Sequence, residues 1–127
     1  GMPAIAASIA DSMLSPARRT DADLRAVILQ MAEATGLETF TAHQTALAGR
    51  PDQTSQLAAI SCPVLVLTGS EDTITPPATG RAVAEGVANG RFVLLDGVGH
   101  MPVLEQPALV ARHLEPFLTE ICTETAQ

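Results

Sequence analysis

Asp72 and His100 are the residues of this chain best suited to proton chemistry. Each follows a short, unbroken apolar run. Asp72 lies five positions after Leu67 of the run Val64–Leu67, and His100 lies five positions after Leu95 of the run Phe92–Leu95. A neutral imidazole can take a proton from a hydroxyl when its other ring nitrogen is held by an acceptor. A carboxylate supplies that hold and stabilises the imidazolium as it forms. The pair therefore reads as a general base and its orienting acid, provided the two loops meet. Glu71 is the competing carboxylate, and it is expected to point away. Taken singly, an aspartate in GSEDT reads more readily as a turn or cap residue, and a histidine in a glycine loop is only somewhat more telling. The matched spacing after two apolar runs favours function for both.

The loops meet only if the two runs are neighbouring parallel strands. VLVL shows no polar alternation, as in strands covered on both faces, and such strands belong mainly to parallel sheets. Pro76 and Pro77 then open a helix over Ala78–Val87, proline being tolerated in a first helical turn. Asn89–Gly90 closes that helix, and RFVLLD forms the second strand. This is a strand–helix–strand unit, which joins parallel strands by a right-handed crossover. Ligands of parallel sheets collect beyond the carboxyl ends of the strands, where Asp72 and His100 both fall. Gly69, Gly97 and Gly99 permit the tight turns that aim a side chain over the sheet edge. A last helix starts at Gln106–Pro107. Val110, Leu114, Phe117, Leu118 and Ile121 are its expected buried stripe, and Pro116 is expected to kink it.

The chain before these strands reads as helical. Ala4–Leu14 carries Ile5, Ile9 and Met13 on one face, and Pro16 ends it. Thr20 or Asp21 can cap a second helix, in which Leu24, Val27, Ile28 and Met31 follow an amphipathic pattern. Gly36 stops it, and a third helix covers Leu37–Ala48 up to Gly49. GRPDQTSQ is a loop, with Asp52 able to pair with Arg50 or to cap a short helix through Leu57–Ile60. The expected division is a helical segment over residues 1–59 and a strand–helix–strand–helix segment over residues 60–127.

Composition removes several function classes. A length of 127 residues fits one domain with a moderate core, and three Phe with no Tyr or Trp make that core aliphatic. So few aromatics build no stacking platform for bases, and a net charge of -7 offers no basic patch, so neither nucleic acid nor an anionic membrane is an expected partner. No apolar run approaches the length of a membrane span. The first residues, GMPAIAAS, lack a basic region, so a secretory signal is not expected. Cys62 and Cys122 are too few for a disulfide framework and read as reduced thiols, which points to the cytoplasm. No cysteine or histidine cluster suggests a metal. His43 and His113 read as surface or partly packed histidines. Met31 and Met101 read as core or pocket lining, and Met101, beside the histidine, is the candidate for contact with a substrate.

The segment from about Ile60 to Leu118 resembles the C-terminal end of the α/β-hydrolase fold, the superfamily of esterases, lactonases, haloalkane dehalogenases, non-haem haloperoxidases and C–C bond hydrolases. The matching features are a proline-led strand, Gly69-x-x-Asp72 with Pro76 four residues on, a helix, and a second strand ending in Asp96. Gly99-His100, Pro102, Glu105, Pro107 and a closing helix complete the match. The resemblance implies an incomplete α/β-hydrolase-like fold holding the last two strands of the family sheet. It makes Asp72 the triad acid and His100 the triad base, and makes the helical first part the tail of a cap. It implies no metal or organic cofactor.

The third member of such a triad is missing from the sequence. In the family the nucleophile sits in a G-x-S-x-G elbow. None of Ser8, Ser12, Ser15, Ser55, Ser61 and Ser70 has glycines at both flanking positions, neither cysteine lies in such an elbow, and no HG-type oxyanion loop is present. Acyl transfer needs nucleophile, base, orienting acid and oxyanion donors together. The isolated chain is therefore expected to be inactive, although hydrolysis of a small ester, lactone or related acyl substrate is what the family implies. Three alternatives stay open: a split hydrolase completed by a second chain bearing serine and oxyanion hole, a non-catalytic dimeric domain, and a residual hydrolase whose nucleophile, Ser70 by position, is contributed across a dimer. The open sheet edge near Val64–Leu67 favours a homodimer.

Overall fold

The structure is a computed structural model that describes residues 2–124. Helix α1 spans Met2–Met13 and stops short of Pro16. Asp21 caps α2, Ala22–Thr35, by accepting from the N–H groups of Asp23 and Leu24, both at 3.1 Å. A carboxylate there also faces the positive end of the helix dipole. Ala6, Ala10 and Leu14 of the α1 stretch are buried, and Ala10 and Leu14 pack with Ile28 of α2. Ile9, Met13 and Leu24 flank this cluster. Alanines at the contact let the two helices approach closely, so the expected isoleucine face lies to the side of the true core. Val27 and Met31, expected on the packed face of α2, are exposed. Helix α3, Leu37–Ala48, buries no residue.

A 3-10 segment, Thr54–Ala59, leads into the sheet. Asp52 accepts from the Thr54 N–H at 2.9 Å and also from its hydroxyl, which holds its pKa down; no ion pair with Arg50 forms among the described residues. Strand β1, Val64–Gly69, pairs in parallel with β2, Gly90–Leu95, and helix α4, Pro77–Gly86, connects them. The register sets Leu67 opposite Val93 and Gly69 opposite Leu95. A four-residue helix α5, Pro102–Glu105, then precedes α6, Pro107–Glu124, which runs on through Pro116. Leu95, Val98 and Val110 form a second core, with Leu67, Val93 and Leu109 against it.

The strands are less covered than their sequence suggested. Val64–Leu67 are only half-buried, and Leu94 is 47% exposed. Leu114 and Leu118, expected in the buried stripe of α6, are exposed as well. The physical reason is area. A sheet of two strands is narrower than the apolar faces aimed at it, so some of their surface has nothing to pack against.

Candidate active site

The parallel pairing brings the carboxyl ends of β1 and β2 to one rim, and the loops beyond them meet. His100 Nδ1 lies 2.9 Å from Asp72 Oδ2. Asp72 is 7% exposed, whereas the His100 side chain keeps 27% of its surface. The loop after β1 folds around the carboxylate. Oδ1 accepts from the backbone N–H groups of Ile74 and Thr75, each at 2.9 Å, and Oδ2 accepts from the Thr75 hydroxyl at 2.8 Å. An aspartate that takes N–H groups two and three residues on forms an Asx-type turn. Asp72 thus plays both parts the sequence allowed it, turn former and histidine partner. Burial pushes its pKa up, but hydrogen bonds from the Thr75 N–H, His100, the Thr75 hydroxyl and the Ile74 N–H outweigh it and hold the carboxyl below its ordinary value. An ionised carboxylate only accepts, so His100 Nδ1 must carry the proton between them. Nε2 is then the basic nitrogen, and it has no hydrogen-bond partner among the described residues.

The equal spacing that drew attention to the pair is not an equality of position on the sheet. Strand β1 runs on to Gly69, so Asp72 stands three residues past its strand end and His100 five past Leu95. The longer second loop turns back over the first. Ser70 N–H donates to Leu95 O at 2.8 Å, and Glu71 N–H donates to Val98 O at 2.9 Å. The three glycines serve different ends. Gly97 supplies a positive φ of 68°, whereas Gly69 and Gly99 supply room. A Cβ on Gly69 would overlap the Val98 and Gly99 carbonyl oxygens, and one on Gly99 would lie 2.6 Å from Glu105 Oε1.

Ser70 takes no part in the pair. Its hydroxyl accepts from the Gly97 N–H at 2.8 Å and lies 3.5 Å from Asp96 Oδ1, so within one chain it makes no bond to His100. Glu71 is exposed and has no bond to His100. Cys62 and Cys122 are free and exposed. His43 is exposed and His113 half-buried. Among the described residues no group of three or more His, Cys, Asp and Glu could hold a metal, and no helix is long and apolar enough to cross a membrane.

The sequence reading gave Thr75 no part in the site and Glu105 no role beyond the family-like pattern. Thr75 braces Asp72 and also lies 3.3 Å from His100 Nδ1, and its signal was the spacing Asp72-x-x-Thr75. Glu105 is 3% exposed and accepts from the N–H groups of Gly99 at 2.9 Å and Ser15 at 3.1 Å. The His100 N–H itself donates to Met13 O at 2.8 Å, so the helical first part is bonded to the histidine loop. Met101 lines an apolar cavity of about 160 Å³ with Ile9, Met13, Ile28, Met31 and Phe40.

The alpha/beta hydrolase family matches residues 2–113. The chain belongs to that family. A carboxylate-braced histidine at the rim of parallel strands accords with membership. A "Putative non-heme bromoperoxidase BpoC" of Mycobacterium tuberculosis is 36% identical over 72 residues, covering 54% of this hydrolase-family chain and 28% of that protein. A thermophilic esterase from Thermogutta terrifontis superimposes with a TM-score of 0.86 at 32% identity, over 95% of this chain and 45% of that one. An enol-lactonase from Burkholderia xenovorans LB400 gives 0.84 at 26% identity, over 94% and 45%. The chain therefore spans less than half the length of these relatives. The chain brings His100 and Asp72 together, but its catalytic arrangement is incomplete, because its sequence holds no G-x-S-x-G.

Proposed function

We propose that this chain supplies the acid–base half of a hydrolase for small esters, lactones or related acyl compounds, with His100 as general base and then acid and Asp72 as its orienting carboxylate. The observation that carries the reading is the Asp72–His100 contact at 2.9 Å, with Nε2 left unbonded and the other acceptor positions of the carboxylate taken by its own loop. Nε2 is where a serine hydroxyl would have to arrive. Taking its proton as the hydroxyl oxygen attacks the acyl carbon, then returning it to the leaving alcohol, is the role this geometry supports. Among the described residues no hydroxyl is bonded to Nε2, so the isolated chain is expected not to turn over esters.

The cavity beside Met101 supports an apolar substrate group. At about 160 Å³ it is close to the roughly 150 Å³ cavity known to admit benzene, so a small ring or short alkyl chain fits. Met101 would then be a substrate contact. Its unbranched side chain, with that of Met31, can adapt to either shape.

A chimera tests the reading. This chain replaces the part of the Thermogutta esterase that it superimposes upon, and turnover of short p-nitrophenyl esters is followed. Turnover that disappears in His100→Ala and Asp72→Ala is expected. A folded chimera without turnover would defeat the proposal. His100-dependent turnover by the isolated chain would defeat the part of it that requires a nucleophile from elsewhere.

A further inference from the structure

Glu105 is a buried carboxylate that the acid–base pair does not use. It has no cation beside it among the described residues; both its oxygens are spent on backbone N–H groups. Oε1 accepts from Gly99, the residue before His100, and Oε2 accepts from Ser15, just past the end of α1. The first bond closes a loop over residues 99–105 that contains His100. Its other end is shut by the Leu104 and Glu105 N–H groups, which donate to Met101 O at 3.0 and 2.9 Å. The second bond ties that closed loop to the helical segment, beside the bond from His100 N–H to Met13 O. Gly99 has no room for a side chain because Ser15 N and Glu105 Oε1 lie against it. The Ser15 hydroxyl, also buried, has no partner among the described residues, so the connection runs through its backbone and not its side chain.

We propose that Glu105 is a positioning residue, whose carboxylate clamps the histidine loop to the end of α1 and so holds the His100 ring in line with Asp72. The proposal rests on the reading of His100 as the base. A carboxylate suits two inward-pointing donors because each oxygen accepts and neither donates. Glutamine has the same shape but one NH2 group. In Glu105→Gln one of the two backbone N–H groups must face a donor, and the clamp opens on that side.

The test uses the whole chain and no substrate. Long-range 1H–15N spectra of the His100 ring at alkaline pH report which ring nitrogen holds the proton, and amide exchange reports Ser15, Gly99 and His100. Wild type should show the Nδ1–H form. A folded Glu105→Gln should show averaging of the two tautomers, with at least about tenfold faster exchange at Gly99 or Ser15. Ser15→Ala, which keeps the N–H, should match wild type in both. Faster exchange with an unchanged ring signature would reduce Glu105 to a structural role and overturn the proposal, as would unchanged exchange. If Glu105→Gln does not fold, wild type decides. One carboxylate holding both segments makes the Ser15 and Gly99 amides exchange through a single opening, and protection factors, corrected for intrinsic rates, that differ by more than about tenfold would refute it. No reading here depends on turnover, so a failed clamp and a failed ester chimera are told apart.

Discussion

Replacing Asp72 in two ways separates its two duties. Asp72→Ala removes the acceptor of four hydrogen bonds: two from backbone N–H groups, one from the Thr75 hydroxyl and one from His100. Ile74 and Thr75 are exposed, so water can reach the freed N–H groups. The cost then lies near that of a lost helix cap, about 1–2 kcal/mol, below the full penalty of burying unpaired donors. At about 2.1 cal/mol/K per residue over 127 residues, the Tm falls by about 4–8 °C. Asp72→Asn keeps Oδ1 for both backbone N–H groups but turns an NH2 toward His100 Nδ1. Stability should fall by only about 1 kcal/mol, the difference between a charged and a neutral acceptor. The ring must respond, because Nδ1 can then only accept and the proton moves to Nε2. In a catalytically completed chimera that tautomer should cost roughly 10⁴-fold in kcat. Thermal melts and long-range 1H–15N spectra of wild type and the two variants are the assay. An asparagine variant that keeps the proton on Nδ1, or an alanine variant with an unchanged Tm, would refute the reasoning.

Other expectations follow from the same coordinates. Asp72 has its carboxyl pKa lowered on folding, so the unfolded chain binds its proton first as pH falls. Its stabilising effect is complete well above pH 3.8 and is lost as pH drops below that value, which denaturant midpoints between pH 2 and 6 will register and which Asp72→Asn should flatten. Gly99→Ala should damage the histidine loop more than Gly97→Ala, because the first forces a Cβ against backbone and a buried carboxylate while the second meets only backbone strain at φ 68°. Comparative melts decide the order, and the reverse order would contradict it. The outer edge of β1 has no neighbouring strand among the described residues, and a second copy is the expected partner. Light scattering should return twice the 13.2 kDa chain mass; a monomer at every concentration would refute the pairing.

Much of the fold was legible because it rests on local rules. Asp21 capped where a cap was expected, Pro77 opened α4, and the two apolar runs paired in parallel with their trailing loops together. What the residues could not show was covering. VLVL and the Leu114–Leu118 stripe carry the apolar pattern of buried elements, and that pattern records what an element is built to face, not what is present to face it. The site was legible as a pair but not as a shell. Asp72 and His100 are residue types with their own chemistry, whereas Thr75 and Glu105 act through geometry with backbone N–H groups. Glu105 sits within the family-like run after Gly99-His100, yet nothing in its spacing says that one oxygen reaches Ser15, 90 residues away. Burial between helices that lie far apart in the chain has no local signature.

That reach has a consequence for how the chain assembles. Closing a segment of 90 residues costs more chain entropy than closing the 28 between Asp72 and His100. Contacts close in sequence form sooner. In refolding from denaturant, the imidazole should therefore find its acid before α1 is docked above it. For an interval the histidine loop would stand open to solvent on the side that Ser15 later closes, which a pulse of deuterium at early times would catch.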